Sequence, residues 1–139
     1  MSNTLRNILI VIVGCIAGSI INMILVNTGN ILIPPPEGSD LKTMEGLEKA
    51  MLLMEPQHFI MPFLAHAIGT LTASWIIAKY AASAHIWCVL VAVLFFFLGG
   101  FYMTTILSAP QWFEITDLLG AYFPMGVLGY WLGIKKKEK

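Results

Sequence analysis

Four stretches of this chain, 8–26, 59–78, 86–106 and 115–134, are each about twenty residues long and almost wholly apolar, which is the length that crosses a hydrocarbon core as a helix. The first three contain no Asp, Glu, Lys or Arg, and the fourth contains Asp117 alone. Residues of the A, V, I, L, M, F, W, Y and C types make up 58% of the chain, against about 45–50% in soluble domains of this kind. A soluble core of 139 residues could not hide that much apolar surface. Lipid offers no partner to a backbone N–H or C=O, so the spanning segments must be helices. The expected fold is therefore all-α: a polytopic membrane protein with four transmembrane helices in an antiparallel bundle, forming a single domain over 1–139.

Between the first and second spans the pattern changes. Asn27, Thr28, Gly29 and Asn30 are expected to break the first helix, and Pro34, Pro35 and Pro36 cannot continue one. From Ser39 and Asp40, which can cap a helix, Leu41, Met44, Leu47, Met51 and Met54 recur at steps of three or four among charged residues. This reads as a short amphipathic helix over about 39–55, lying at the outer membrane interface and ended by Pro56. Pro62 falls in the first turn of the second span, where a missing N–H costs little.

Basic residues orient the bundle. Arg6, Lys79, Lys135, Lys136, Lys137 and Lys139 fall on the side of the termini, and only Lys42 and Lys49 fall on the other, so the positive-inside rule puts both termini in the cytoplasm. Acids divide the opposite way, with Glu37, Asp40, Glu45, Glu48, Glu55, Glu114 and Asp117 at the outer side. A net charge of zero gives no basic footprint for nucleic acid. Cys15 and Cys88 sit apart inside apolar runs, without the spacing of a thiol-redox or zinc motif. Gly14 and Gly18, Gly129 and Gly133, and the stripe Ala65, Gly69 and Ala73 permit close helix contact within the chain or between copies.

Polar residues inside the spans are the functional candidates. His66 lies about 10 Å below the start of its span and shares a face with Thr70 and Ser74 at steps of four. An imidazole so placed could relay protons, given water access or a nearby carboxylate such as Asp117, or serve as interhelical glue bonded to a backbone carbonyl or to Asn22, which follows Gly14 and Gly18 on the first helix. Glu55, His58, Glu114 and Asp117 all belong to the outer boundary and could form an acidic mouth that gathers cations or protons. Glu55 and His58 have the ExxH spacing of carboxylate-bridged metal sites, so these four are also a candidate set for a divalent metal, although a di-metal bundle needs a second ExxH that is absent. Each has a plainer role: a cap for Glu55, a backbone bond for His58, and favourable charge at a helix N-terminus for Glu114 and Asp117. No cofactor is otherwise expected.

The segments EPQHFIMPFLAHAIGTL (55–71), LFFFLGG (94–100) and SAPQWFEITDLLGAYFPMGVLGYWLG (108–133) resemble small four-span bacterial inner-membrane proteins of no assigned activity. The resemblance implies a bacterial inner membrane and no mechanism. The leading functional expectation is a small transporter or channel-like protein for a cation, proton or small solute, working as a homo-oligomer or with a membrane-protein partner. A membrane-embedded metal-dependent or lipid-modifying enzyme, and a non-catalytic subunit, are the alternatives.

Overall fold

The computed structural model describes residues 2–134 and is all-α, with no strand among them. Helix α1 covers Asn3–Leu32, α2 Met44–Met51, α3 Ile60–Tyr80, α4 His85–Thr104, α5 Gln111–Gly120 and α6 Phe123–Ile134. A single 3-10 turn, Pro56–Phe59, leads into α3. Three helical stretches are long and apolar enough to cross a membrane: Asn3–Leu32, Pro56–Tyr80 and His85–Thr104. Large apolar side chains are exposed all round the bundle, among them Ile16, Phe95 and Trp131, and only 11% of the most apolar window of α1 is buried. Water would not tolerate such a surface, whereas lipid would. Lys135, Lys136, Lys137 and Lys139, assigned above to the cytoplasmic end, lie outside the described residues.

Helix α3 is the centre of the bundle, clasped by α1 on one side and α6 on the other. The clasp is built on glycine. A methyl group added to Gly18 would lie 2.5 Å from the Gly69 carbonyl oxygen, and one added to Gly69 would lie 2.9 Å from the Gly18 carbonyl. On the opposite face, a methyl at Gly129 would meet the Leu71 carbonyl at 2.6 Å and one at Gly133 would meet the Trp75 carbonyl at 2.8 Å. Both GxxxG pairs are therefore spent inside the chain, where only the absence of a Cβ lets backbones approach so closely.

Several boundaries differ from the sequence expectation. Helix α1 does not break at Asn27–Asn30 but runs on to Leu32, 30 residues or about 45 Å. Thr28 folds its hydroxyl back onto the Ile24 carbonyl at 2.8 Å, and Gly29 packs against Met61, so tertiary contact outweighs the weak propensity of that stretch. Ser39 and Asp40 do not cap α2; Thr43 does, accepting from the Gly46 N–H at 3.1 Å. Asp40 instead organises the approach, accepting from the Thr43 hydroxyl and the Lys42 amide, which together hold its carboxyl below the usual range.

The largest departure is in the fourth stretch, which is not one helix. It divides into α5 and α6, of 10 and 12 residues, on either side of Ala121 and Tyr122. Pro124 explains the division: it has no N–H to give the Gly120 carbonyl and its ring would clash there, so the helix must restart with proline in its first turn.

The end holding the α1 N-terminus is locked by polar bonds. Arg6 donates to the orphan Tyr80 carbonyl at the end of α3 through two nitrogens, at 3.2 and 3.1 Å. Asn7 pins the following turn, accepting from Ala82 N and donating to the Ser83 carbonyl. That turn passes through left-handed Ala84 (φ 50°) into α4.

The glycine clasp gives a direct test. Gly18→Val should lower unfolding stability by about 1–3 kcal/mol, as overpacking does, or stop the protein accumulating in membranes. Gly99→Ala, with nothing within 4 Å of the added carbon, should change little. Thermal unfolding of both variants in the same detergent reads the difference.

Candidate functional site: a histidine on a buried aspartate and tyrosine at an apolar cavity

The starts of α3 and α5 come together at the end of the bundle remote from Arg6. Phe59 packs edge-on to Trp112 at 5.7 Å and against Phe113 at 4.7 Å between ring centroids, fixing α5 on α3. One turn deeper, His66 meets Asp117. Its Nδ1 lies 2.9 Å from both carboxylate oxygens, so the Nδ1–H is shared between them. The Tyr122 hydroxyl donates to Oδ2 of the same carboxylate at 3.1 Å, and its ring stacks on the imidazole with centroids 5.9 Å apart. Asp117 is buried, and Tyr122 is fully so.

This triad depends on the break in the fourth stretch. In an unbroken helix, residues 117 and 122 would point about 140° apart, five steps at 3.6 residues per turn. The interruption at Ala121–Tyr122 turns the tyrosine back toward the aspartate. Gly100 on α4 leaves room for it, since a methyl group there would collide with the Tyr122 hydroxyl.

Beside the triad is a cavity of about 320 Å³. Val26 and Gly29 of the extended α1, Met61 of α3 and Met103 of α4 form its walls, and Leu47 and Met51 on the apolar side of α2 close over it. His66, Asp117, Glu114 and His58 reach its lining. His66 Nε2 makes no hydrogen bond with a described residue. With Nδ1–H committed to the carboxylate, a neutral His66 in the cavity lining keeps its Nε2 lone pair unshared among the described residues.

The residues proposed for the acidic mouth do not act as one group. His58, Glu114 and Asp117 line the cavity, but Glu55 is exposed and accepts from the Gln57 side-chain amide. The ExxH spacing builds a capping box: His58 Nδ1 accepts from Glu55 N at 3.0 Å, while Nε2–H donates to the Pro34 carbonyl at 3.1 Å. Both nitrogens of His58 are thus occupied in tying the 3-10 turn to the segment after α1. No group of three or more His, Cys, Asp or Glu among the described residues is arranged to hold a metal ion.

Thr70 and Ser74 continue from His66 along α3 and are fully buried, Ser74 against Gly126 and Gly129 of α6. Neither hydroxyl bonds to another described residue. Asn22 lies on the other side of α3, with its Cβ against Gly69, and its Oδ1 is likewise without a described partner. His66 therefore pairs with Asp117 and not with Asn22. Tyr122 went unnoticed in the sequence; Pro124 just beyond it was the available signal, since it marks where the helix must break. No protein family, curated protein or solved structure matches this chain.

Removing the unbonded hydroxyls should be cheap. Thr70→Val and Ser74→Ala should hold or raise stability, whereas Tyr122→Phe, which strips a donor from the buried Asp117 carboxylate, should lower it by about 1–3 kcal/mol. Unfolding measurements on the three variants in one lipid nanodisc preparation make the comparison.

Proposed function

We propose that this chain is a small bacterial inner-membrane transporter whose outer cavity takes up a small solute and exchanges a proton at His66. The observation that carries the reading is the buried Asp117 carboxylate, held by His66 and Tyr122, with His66 in the lining of a cavity that has room for a ligand. A neutral imidazole with a fixed tautomer and one unshared nitrogen has a lone pair that can accept a proton.

In this reading the bilayer is crossed four times, α5 and α6 together making the last crossing, with both termini cytoplasmic. Arg6 and Lys79 sit at one end, and Lys42, Lys49 and the acidic residues at the other, which supports that orientation. Helix α2 lies at the outer surface as a cover over the cavity. An interrupted helix at mid-membrane is tolerated where it is buried in protein or lines a cavity, and such breaks accompany substrate sites in transporters.

Beyond His66 the α3–α6 seam is tight, so passage to the cytoplasm requires α6 to move on α3. The Ala121–Tyr122 break is the place where α6 can swing without unwinding α5. Exposed Gly99 and its aromatic neighbours offer a face for a second copy or another membrane protein.

Two measurements test this. With Cys15 and Cys88 replaced by Ala, a single Met103→Cys should react with a membrane-impermeant thiol reagent from the periplasmic side of intact cells, as should Ser39→Cys; reaction only after lysis would reverse the topology. In proteoliposomes holding a pH dye, His66→Gln should slow proton movement at least tenfold while the protein stays folded. Unchanged movement would reduce His66 to a lock between α3 and α5.

A further inference from the structure

The charge of the cavity lining is one-sided. Glu114 and Asp117 contribute carboxylates, and among the described residues no Lys or Arg reaches the lining. The two lysines on the same end are elsewhere: Lys49 is exposed and paired with Glu45 at 2.7 Å, and Lys42 belongs to the exposed approach to α2. Such a lining usually acquires a cation, because a low-dielectric wall strengthens the field of an unbalanced carboxylate.

The rest of the wall says what kind of cation. Leu47, Met51, Met61, Met103 and Phe113 present thioethers, an alkyl group and an aromatic ring, and only Asn30 and Thr104 add neutral side-chain oxygens, where a hydrated metal ion would need a shell of them. Methionine is flexible and polarizable and adapts to varied apolar shapes, and an aromatic ring attracts a cation of low hydration. A volume of about 320 Å³ is at the small end of ligand pockets.

We infer that the solute is a lipophilic organic cation, an ammonium with an apolar body, held by Glu114 and Asp117 in the methionine-lined cavity and exchanged for one proton at His66. This rests on the transport reading above and names its substrate class. The exchange balances. When the cation enters, the Nε2–H of protonated His66 passes to water, leaving neutral imidazole with Nδ1–H still on Asp117; when the proton returns, the cation leaves. The groups facing His66 and Asp117 are Tyr122 from the α5–α6 break, Glu114 from the same helix as Asp117, and His58, whose nitrogens are both bonded; α1, α2 and α4 bring no charged side chain to the lining. The proton exchanged for the cation is thus the one on His66 Nε2.

The test uses three ligands of one shape. Benzyltrimethylammonium, its neutral isostere neopentylbenzene and the anion phenylmethanesulfonate are titrated calorimetrically into the full chain in nanodiscs. The cation should bind at least tenfold tighter than the other two, and at least fivefold tighter at pH 8 than at pH 5, with an enthalpy that varies with the buffer as one proton is released. Glu114→Gln should weaken the cation and not the neutral ligand, and His66→Gln should abolish the pH dependence. Equal or tighter binding of the neutral or anionic ligand overturns the cation inference while leaving a ligand cavity. Binding of none of the three to protein that circular dichroism shows to be helical overturns the cavity reading with it.

Discussion

Everything in this bundle is hung on α3, and α3 is held by contacts that only glycine allows. Gly18 meets Gly69 on one side, and Gly129 and Gly133 meet the carbonyls of Leu71 and Trp75 on the other. In lipid, apolar side chains gain little from meeting one another, so association depends on packing at close range. Flat glycine faces bring many backbone atoms within contact distance, and they leave α3 no freedom to rotate. Its polar residues are therefore fixed by the clasp: His66, Thr70 and Ser74 face α5 and α6, and the small stripe of Ala65, Gly69 and Ala73 faces α1.

That placement makes the second feature affordable. Burying Asp117 as a lone charge would be prohibitive, but it is supplied with donors from the opposing helix and from the break in its own stretch. The same proline that forbids a continuous helix frees Tyr122 to turn back. Local irregularity and buried polarity are thus one device, and the aromatic contacts of Phe59 with Trp112 and Phe113 hold it in register.

The cavity exists because α1 is longer than a membrane crossing needs. At about 45 Å it exceeds a hydrocarbon core of about 30 Å, and the excess stands as a wall at the acidic end. The chain must then return over the top, and α2 does so with its apolar side inward. Two side-chain bonds tether this cover: His58 to the Pro34 carbonyl, and Ser108 to Glu48 at 3.4 Å. A residue whose spacing suggested a metal ligand is, in the folded chain, a fastening of the cavity's cover.

The sequence alone determined the helical class, the three helices long and apolar enough to cross a membrane, the asymmetry of charge between the two ends and the place of His66 along its helix, because each depends on residue type and on spacing along one helix. It also carries the signal for the α5–α6 break in Pro124, although the apolar content of that stretch by itself favours one continuous helix. It could not decide whether Asn27–Asn30 ends a helix, since the Gly29–Met61 contact that sustains α1 joins residues far apart in the chain. Nor could it choose the partner of His66 between Asn22 and Asp117, which lie on opposite sides of α3. Only tertiary structure settles that choice, because the rotation of α3 is set by glycine contacts with two other helices at once.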